Sequence, residues 1–302
     1  MLTQLVNVER SLNNVILGKA SQIRLALCCL LAEGHLLLED LPGMGKTTLA
    51  HALANSLGLS YRRVQFTNDL LPGDLVGMNI YDSRSQQFRF QAGPVFSQVL
   101  LADEINRASP KTQSALLEAM EEKQVSIDGE TRALPKPFFV IATQNPIFHA
   151  GTSALPESQL DRFMFRLSLG FPDRQAERQL LQRDTSNSRL ELLTEQLSFD
   201  QLQLIQQQVP KVHASDALLD YLLSLVDASR QRNDMLPLSP RASKALLRAA
   251  KAFALIDNRD YVSADDVKQV FPFVAEHRLD PASSAQNSQL SQMLLHTTPC
   301  LI

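Results

Sequence analysis

The chain has 302 residues, a formal net charge of −3, 20% charged residues and no tryptophan. That length can carry one large or two smaller cores, and the mild acidity leaves no footprint for non-specific nucleic-acid binding. No apolar run is long enough for a membrane helix, and Met1-Leu2-Thr3-Gln4 lacks the basic start of a signal peptide, so neither is expected.

The apolar stretch Leu25–Leu38 is broken by Glu33 and His35 and reads as helix, turn and strand. Cys28 and Cys29 are neighbours in its helical part, where side chains point about 100° apart. That spacing suits neither a zinc site nor a disulfide framework, so core packing in a reducing cytoplasm is expected.

Leu36-Leu37-Leu38 then runs into Asp40-Leu41-Pro42-Gly43-Met44-Gly45-Lys46-Thr47-Thr48. A buried strand entering a Gly-rich turn and a helix is a phosphate cradle, with backbone N–H groups and a helix N-terminus aimed at an anion. Pro42, Gly43, Met44, Gly45, Lys46, Thr47 and Thr48 are the expected nucleotide-binding set. Lys46 would reach the β- and γ-phosphates, and Thr47 would hold Mg²⁺. The strict pattern has Gly where Asp40 stands. An Asp can adopt turn geometry there, but it puts negative charge near a triphosphate.

A helix over 46–57 follows, stopped by Gly58, and then a half-buried strand in which Val64 and Phe66 alternate with Arg63 and Gln65. Residues 68–96 interrupt the pattern with Pro72, Gly73, Gly77, an alternating Phe88-Arg89-Phe90 and Gly93-Pro94. Val99-Leu100-Leu101-Ala102 ends in Asp103-Glu104, two carboxylates at the ligand-binding edge of a parallel sheet. Asp103 would coordinate Mg²⁺ and Glu104 would polarise the attacking water. Without the upstream phosphate loop, the same string is an ordinary solvated strand end.

Ser109 and Pro110 open a helix over 110–122. Asp128-Gly129 turns a hairpin within 124–134. A third strand over 138–143 precedes Asn145, whose amide could orient water against the γ-phosphate or simply serve the turn before Pro146. Alternating strands and helices mean a parallel sheet with right-handed crossovers. After Phe171-Pro172-Asp173 the chain turns helical, with capping residues Ser198, Ser239 and Ser263. The expected division is an α/β nucleotide-binding core over 1–172, a helical lid domain of about four helices over 173–280, and a tail over 281–302, poorly ordered or partner-bound.

These segments carry a family resemblance. Asp40–Thr48, Val64–Thr67 with Asp69–Asp74, the string LADEINRASPKTQ from Leu101, ATQNP from Ala142, LPESQLDRF from Leu155 and Ser239-Pro240-Arg241 together resemble the AAA+ ATPases of the MoxR type. The resemblance implies an AAA+ phosphate-loop core with a five-stranded parallel sheet, inserted β-hairpins facing a ring's channel, and a C-terminal helical lid. It implies ATP and Mg²⁺ as cofactors and a homo-oligomeric ring, most often a hexamer. It also implies a von Willebrand A-type partner and a chaperone-like role in maturation or metal loading of a protein client. Arg162 would be the cation lent to the neighbouring subunit's site; within its own chain it could pair instead with Asp161, Glu157 or Asp173. Arg241 would sense the γ-phosphate, in cis or in trans. Arg107 would touch the next subunit or pair locally. Ile16, Leu17 and Gly18 would wrap the adenine. The six histidines are scattered and read as structural or surface residues. A magnesium-chelatase-like ATPase subunit and a nucleic-acid motor remain the alternative functions, the second disfavoured by charge.

Overall fold

The computed structural model describes residues 2–145, 155–182 and 193–300. Pro146 and His149 lie outside them. Helices α1 (Leu2–Val15) and α2 (Ala20–Leu31) lead into β1 (Leu36–Glu39), α3 (Lys46–Ser56) and β2 (Tyr61–Gln65). The short α4 (Pro72–Val76) precedes the hairpin β3 (Gly77–Asp82) and β4 (Gln87–Ala92). Then come β5 (Val99–Asp103), α5 (Pro110–Glu122), the hairpin β6 (Gln124–Ile127) and β7 (Glu130–Ala133), β8 (Phe139–Gln144), α6 (Glu157–Leu160) and β9 (Phe165–Leu167).

Five strands form one parallel sheet in the order β2-β5-β8-β1-β9. That order sets β5, β8 and β1 side by side, so the ends carrying Asp103-Glu104, Asn145 and the phosphate loop meet at one edge. The three strands alternate between two cores. Leu36, Leu38, Val99, Leu101, Phe139 and Ile141 face one, and Leu37, Leu100, Ala102, Val140 and Ala142 face the other. Burial on both faces is why each reads as a continuous apolar run.

The two hairpins stand outside the main sheet and touch each other. Asn79 Nδ2 donates to Asp128 Oδ2 at 2.7 Å, and the Arg132 guanidinium lies 4.1 Å from the Phe90 ring centroid. Asp128 and Gly129 both have positive φ (+50° and +82°), as a two-residue primed turn requires.

The helical part comprises α7 (Arg174–Gln182), α8 (Phe199–Gln208), α9 (Asp216–Arg230), α10 (Pro240–Ile256), α11 (Ala264–Leu279) and α12 (Gln289–Thr297). Ser198, Ser215, Ser239 and Ser263 cap α8 to α11 by accepting a backbone N–H of the first turn. Its apolar faces join the cluster that contains α1, α2 and α3.

The tail differs from its expectation. Composition pointed to a segment that is poorly ordered or held by a partner over 281–302; within its described part, α12 buries Leu294 completely against the chain itself. The Glu276 carboxylate accepts the Ser291 N–H at 2.7 Å, and buried Arg166 donates to Ser283 O and Oγ, both at 2.6 Å. The order of this segment is supplied by partners on β9 and α11, which its own residues do not announce.

Candidate functional site

The loop between β1 and α3 places two glycines in the left-handed region, Gly43 at φ +85° and Gly45 at φ +89°. A Cβ built on either would meet nothing within 4 Å, so backbone conformation and open approach, not crowding, call for glycine. The first-turn N–H groups of α3 have no intrahelical partner and border this space. Lys46 is buried, and its Nζ donates to the Asp40 carbonyl at 2.6 Å and to Asn145 Oδ1 at 3.5 Å. Burial draws its pKa below the ordinary lysine value; the carboxylates of Asp40, Asp103, Glu104 and Glu39 pull it back up.

Asp40 does not face the cradle with its carboxylate. Oδ1 accepts the Ser168 hydroxyl at 2.7 Å and the Gly170 N–H at 3.0 Å, and Oδ2 accepts the Leu169 N–H at 2.6 Å. The carboxylate at the unusual position fastens the loop to the chain leaving β9 and points away from the cleft's lining, although its charge is still felt at Lys46.

Asp103 and Glu104 sit at the end of β5 and are held differently. Thr143 on β8 donates its hydroxyl to Asp103 Oδ1 at 2.6 Å and accepts the Glu104 N–H at 2.8 Å. Glu104 has φ +57°, an uncommon conformation for its type that turns its side chain out of the strand alternation. Its Oε1 accepts Asn145 Nδ2 at 2.9 Å, and its Oε2 accepts Gln65 Nε2 and Arg107 Nη1, each at 2.8 Å. Arg63 donates to Asp103 Oδ2 through Nη2 at 2.6 Å and Nε at 3.2 Å. Sequence reasoning missed Arg63, Gln65 and Thr143. Arg63 and Gln65 are two apart on β2 and share a face, but that face gains meaning only once β2 is known to pair with β5, with Gln65 opposite Asp103.

Together these residues line a cleft of about 370 Å³: Pro42, Gly43, Gly45, Lys46, Thr47, Thr48, Arg63, Gln65, Asp103, Glu104 and Asn145. Met44 packs against the apolar core instead. Among the described residues no group of three His, Cys, Asp or Glu side chains could hold a metal by itself. The oxygen donors of Thr47 and Asp103 suit Mg²⁺, which keeps waters and takes substrate phosphates with one or two carboxylates. The donor set fits Mg²⁺ arriving with a nucleotide.

Ile16, Leu17 and Gly18 lie beyond the lining of this cleft. Ile16 is buried in the core, and Gly18, at φ +70°, lies so close to α7 that a Cβ would stand 2.9 Å from Ala176 Cβ. Lys19 Nζ donates to Phe171 O at 2.6 Å, which ties this turn to the segment following the Asp40 anchor.

Arg162 and Arg241 are brought to each other rather than to the cleft. Arg162 Nη2 is 3.0 Å from Glu121 Oε2 on α5, and Arg241, in the first turn of α10, pairs with the other oxygen of the same carboxylate. Arg241 also lies 3.6 Å from Asp161, whose second oxygen accepts Arg278 Nε at 2.7 Å. Among the described residues Glu121, not Asp161, Glu157 or Asp173, is thus the carboxylate that pairs with Arg162, whose Nη1 also donates to Ser158 O. No local pattern distinguished it from Glu118 or Glu122. Arg107, left open between a neighbour and a local pair, bonds Glu104.

Comparison with known proteins follows this geometry. Residues 35–165 match the model of the ATPase family associated with various cellular activities (AAA), and residues 235–294 match the AAA lid domain. The chain is similar to the uncharacterized protein YeaC of Bacillus subtilis, 46% identical over 89% of this chain and 84% of that one. It is similar to the chaperone MoxR1 of Mycobacterium tuberculosis, 41% identical over 88% of this chain and 72% of that protein. The crystal structure of a Cytophaga hutchinsonii protein assigned as an ATPase superposes with a TM-score of 0.89 at 35% identity, covering 100% of this chain and 96% of that one.

Proposed function

The chain belongs to the MoxR-type AAA+ ATPases, and on that footing we propose that it is a Mg²⁺-dependent ATP hydrolase that works as a ring, most often a hexamer, to remodel a protein client. The observation that carries the reading is the convergence of Lys46, Thr47, Asp103, Glu104 and Asn145 on one cleft, from three adjacent strand ends. Phosphoryl transfer needs mostly positioning and charge neutralisation. Bound Mg²⁺ would supply that neutralisation at the β- and γ-phosphates. Lys46 and the loop N–H groups bind the phosphates, Thr47 and Asp103 are the metal's protein donors, and Glu104 accepts the proton of the attacking water. Asn145 bridges Lys46 and Glu104, so it keeps cation and base in register.

Of the cations that line the cleft among the described residues, Lys46 is assigned to the bound phosphates and Arg63 is paired with Asp103, so the charge that develops on the transferred group calls for a further cation. Arg162 and Arg241 form one cluster outside the cleft's lining, which supports both acting on the neighbouring subunit's nucleotide. In this reading Glu121 holds the pair until a neighbour docks. A maturation or metal-loading role, a von Willebrand A-type partner and a cytoplasmic location belong to the same proposal; the relative's name, chaperone, and the buried free thiols Cys28 and Cys29 support it. Among the described residues no helix is long and apolar enough to cross a membrane.

Glu104→Gln tests the chemistry. It should keep ATP binding and abolish turnover, because it removes the base and spares Asp103. Hydrolysis within about tenfold of wild type, only ~1.4 kcal/mol of barrier, would mean that Glu104 is not the base.

A further inference from the structure

Asp103 is buried, with Glu104 next to it and both of its oxygens engaged, Oδ1 by Thr143 and Oδ2 by Arg63. The two partners differ in kind. Thr143 is itself buried in the strand ladder of β8 and is fixed by the Glu104 N–H. The Arg63 side chain is 49% exposed and borders the same cleft as Lys46 and Thr47. A buried carboxylate without a counter-charge is costly, whereas a half-exposed guanidinium returns to water at little cost. Arg63 is therefore the one of the two partners able to leave.

We propose that Arg63 is a displaceable counter-cation for Asp103: it neutralises the metal-binding carboxylate and yields it in competition with the divalent cation, so that it sets how much Mg²⁺ the nucleotide site demands. The proposal rests on the nucleotide-site reading above. Arg63 has one other polar contact in reach, Gln65 Oε1 at 3.3 Å, and no second carboxylate pairs with it among the described residues. When it leaves Asp103, its guanidinium is free to move within the cleft that the phosphates would occupy.

The test is a Mg²⁺ titration of binding of a fluorescent, non-hydrolysable ATP analogue to the full chain. Arg63→Ala should lower the Mg²⁺ concentration at half-saturation by roughly two- to fivefold, the size of one half-exposed charge pair. Arg63→Lys should fall between wild type and Arg63→Ala, since one ammonium replaces a two-bond fork. Arg62→Ala removes the same charge from the opposite face of β2 and should leave the midpoint alone. A midpoint that is unchanged or higher in Arg63→Ala overturns the proposal, because a residue that merely props Asp103 in place would raise the demand when lost. Asp103→Asn separates the two readings. If it responds to Mg²⁺ as wild type does, Asp103 is not the metal's ligand and the site assignment fails along with the proposal. If its response is lost while Arg63→Ala shows no downward shift, the site stands and the competition does not.

Discussion

Asp40 shows how far a single residue can be read from sequence. The departure from the strict phosphate-loop pattern was visible at once, and its apparent cost was charge near a triphosphate. The three donors that hold that carboxylate, Ser168, Leu169 and Gly170, lie about 130 positions later and are brought to it by the pairing of β9 with β1. Asp40→Gly restores the strict pattern, yet it should weaken the site. It frees the loop from its anchor and strands two backbone N–H groups, and hydrogen bonds to a charged group are worth about 1.5–3 kcal/mol each before relaxation. We expect nucleotide affinity to drop about tenfold or more, close to 1.4 kcal/mol per decade, with a lower melting temperature. Asp40→Asn, which keeps an acceptor, should lose less. Equal or tighter binding by Asp40→Gly would show that the anchor does not shape the cradle.

The elements that bear the site were the most legible, for a physical reason. β1, β5 and β8 are buried on both faces, so their composition alone marks them, and Ser109-Pro110 and Asp128-Gly129 carry their own boundary chemistry. Elements ordered by distant partners were not legible: α12 depends on Glu276 and Arg166, and the sharing of Glu121 by Arg162 and Arg241 depends on how α10 meets α5. His35, read correctly as structural, has a consequence for the sheet. Its Nδ1 accepts the Val140 N–H at 3.0 Å, so Nε2 carries the proton and donates to Met120 O at 3.3 Å. Burial lowers its pKa from 6.5 to about 4. The unfolded chain therefore takes up a proton that the native protein refuses. The stabilising effect is fully present above pH 6.5 and is lost as pH falls toward 4. His277, buried beside Arg278 and Arg166, shifts in the same direction. Urea unfolding should show a loss of about 2 kcal/mol from His35 alone between pH 7 and pH 5. Equal stability at the two values would contradict this account of His35.

At the scale of the whole molecule, the proposal makes the cleft and the arginine pair, which lies outside the cleft's lining, two halves of one catalytic constellation completed between subunits. An arginine supplied to such a site contributes roughly 10³–10⁵-fold in phosphoryl-transfer enzymes, so an isolated chain should hydrolyse ATP far below the assembled rate, and specific activity should rise with protein concentration. The hairpins β3-β4 and β6-β7 are linked to each other through Asn79–Asp128 and Arg132–Phe90. The most direct measurement mixes two inactive variants. An Arg162→Ala subunit keeps Lys46 and Glu104, and a Glu104→Gln subunit keeps Arg162. Each alone should stay near zero. Together, at concentrations that favour assembly, they should rebuild competent interfaces and recover part of the wild-type ATPase rate. No recovery while mixed assemblies demonstrably form, or full-rate hydrolysis by dilute monomer, would contradict a site shared between subunits.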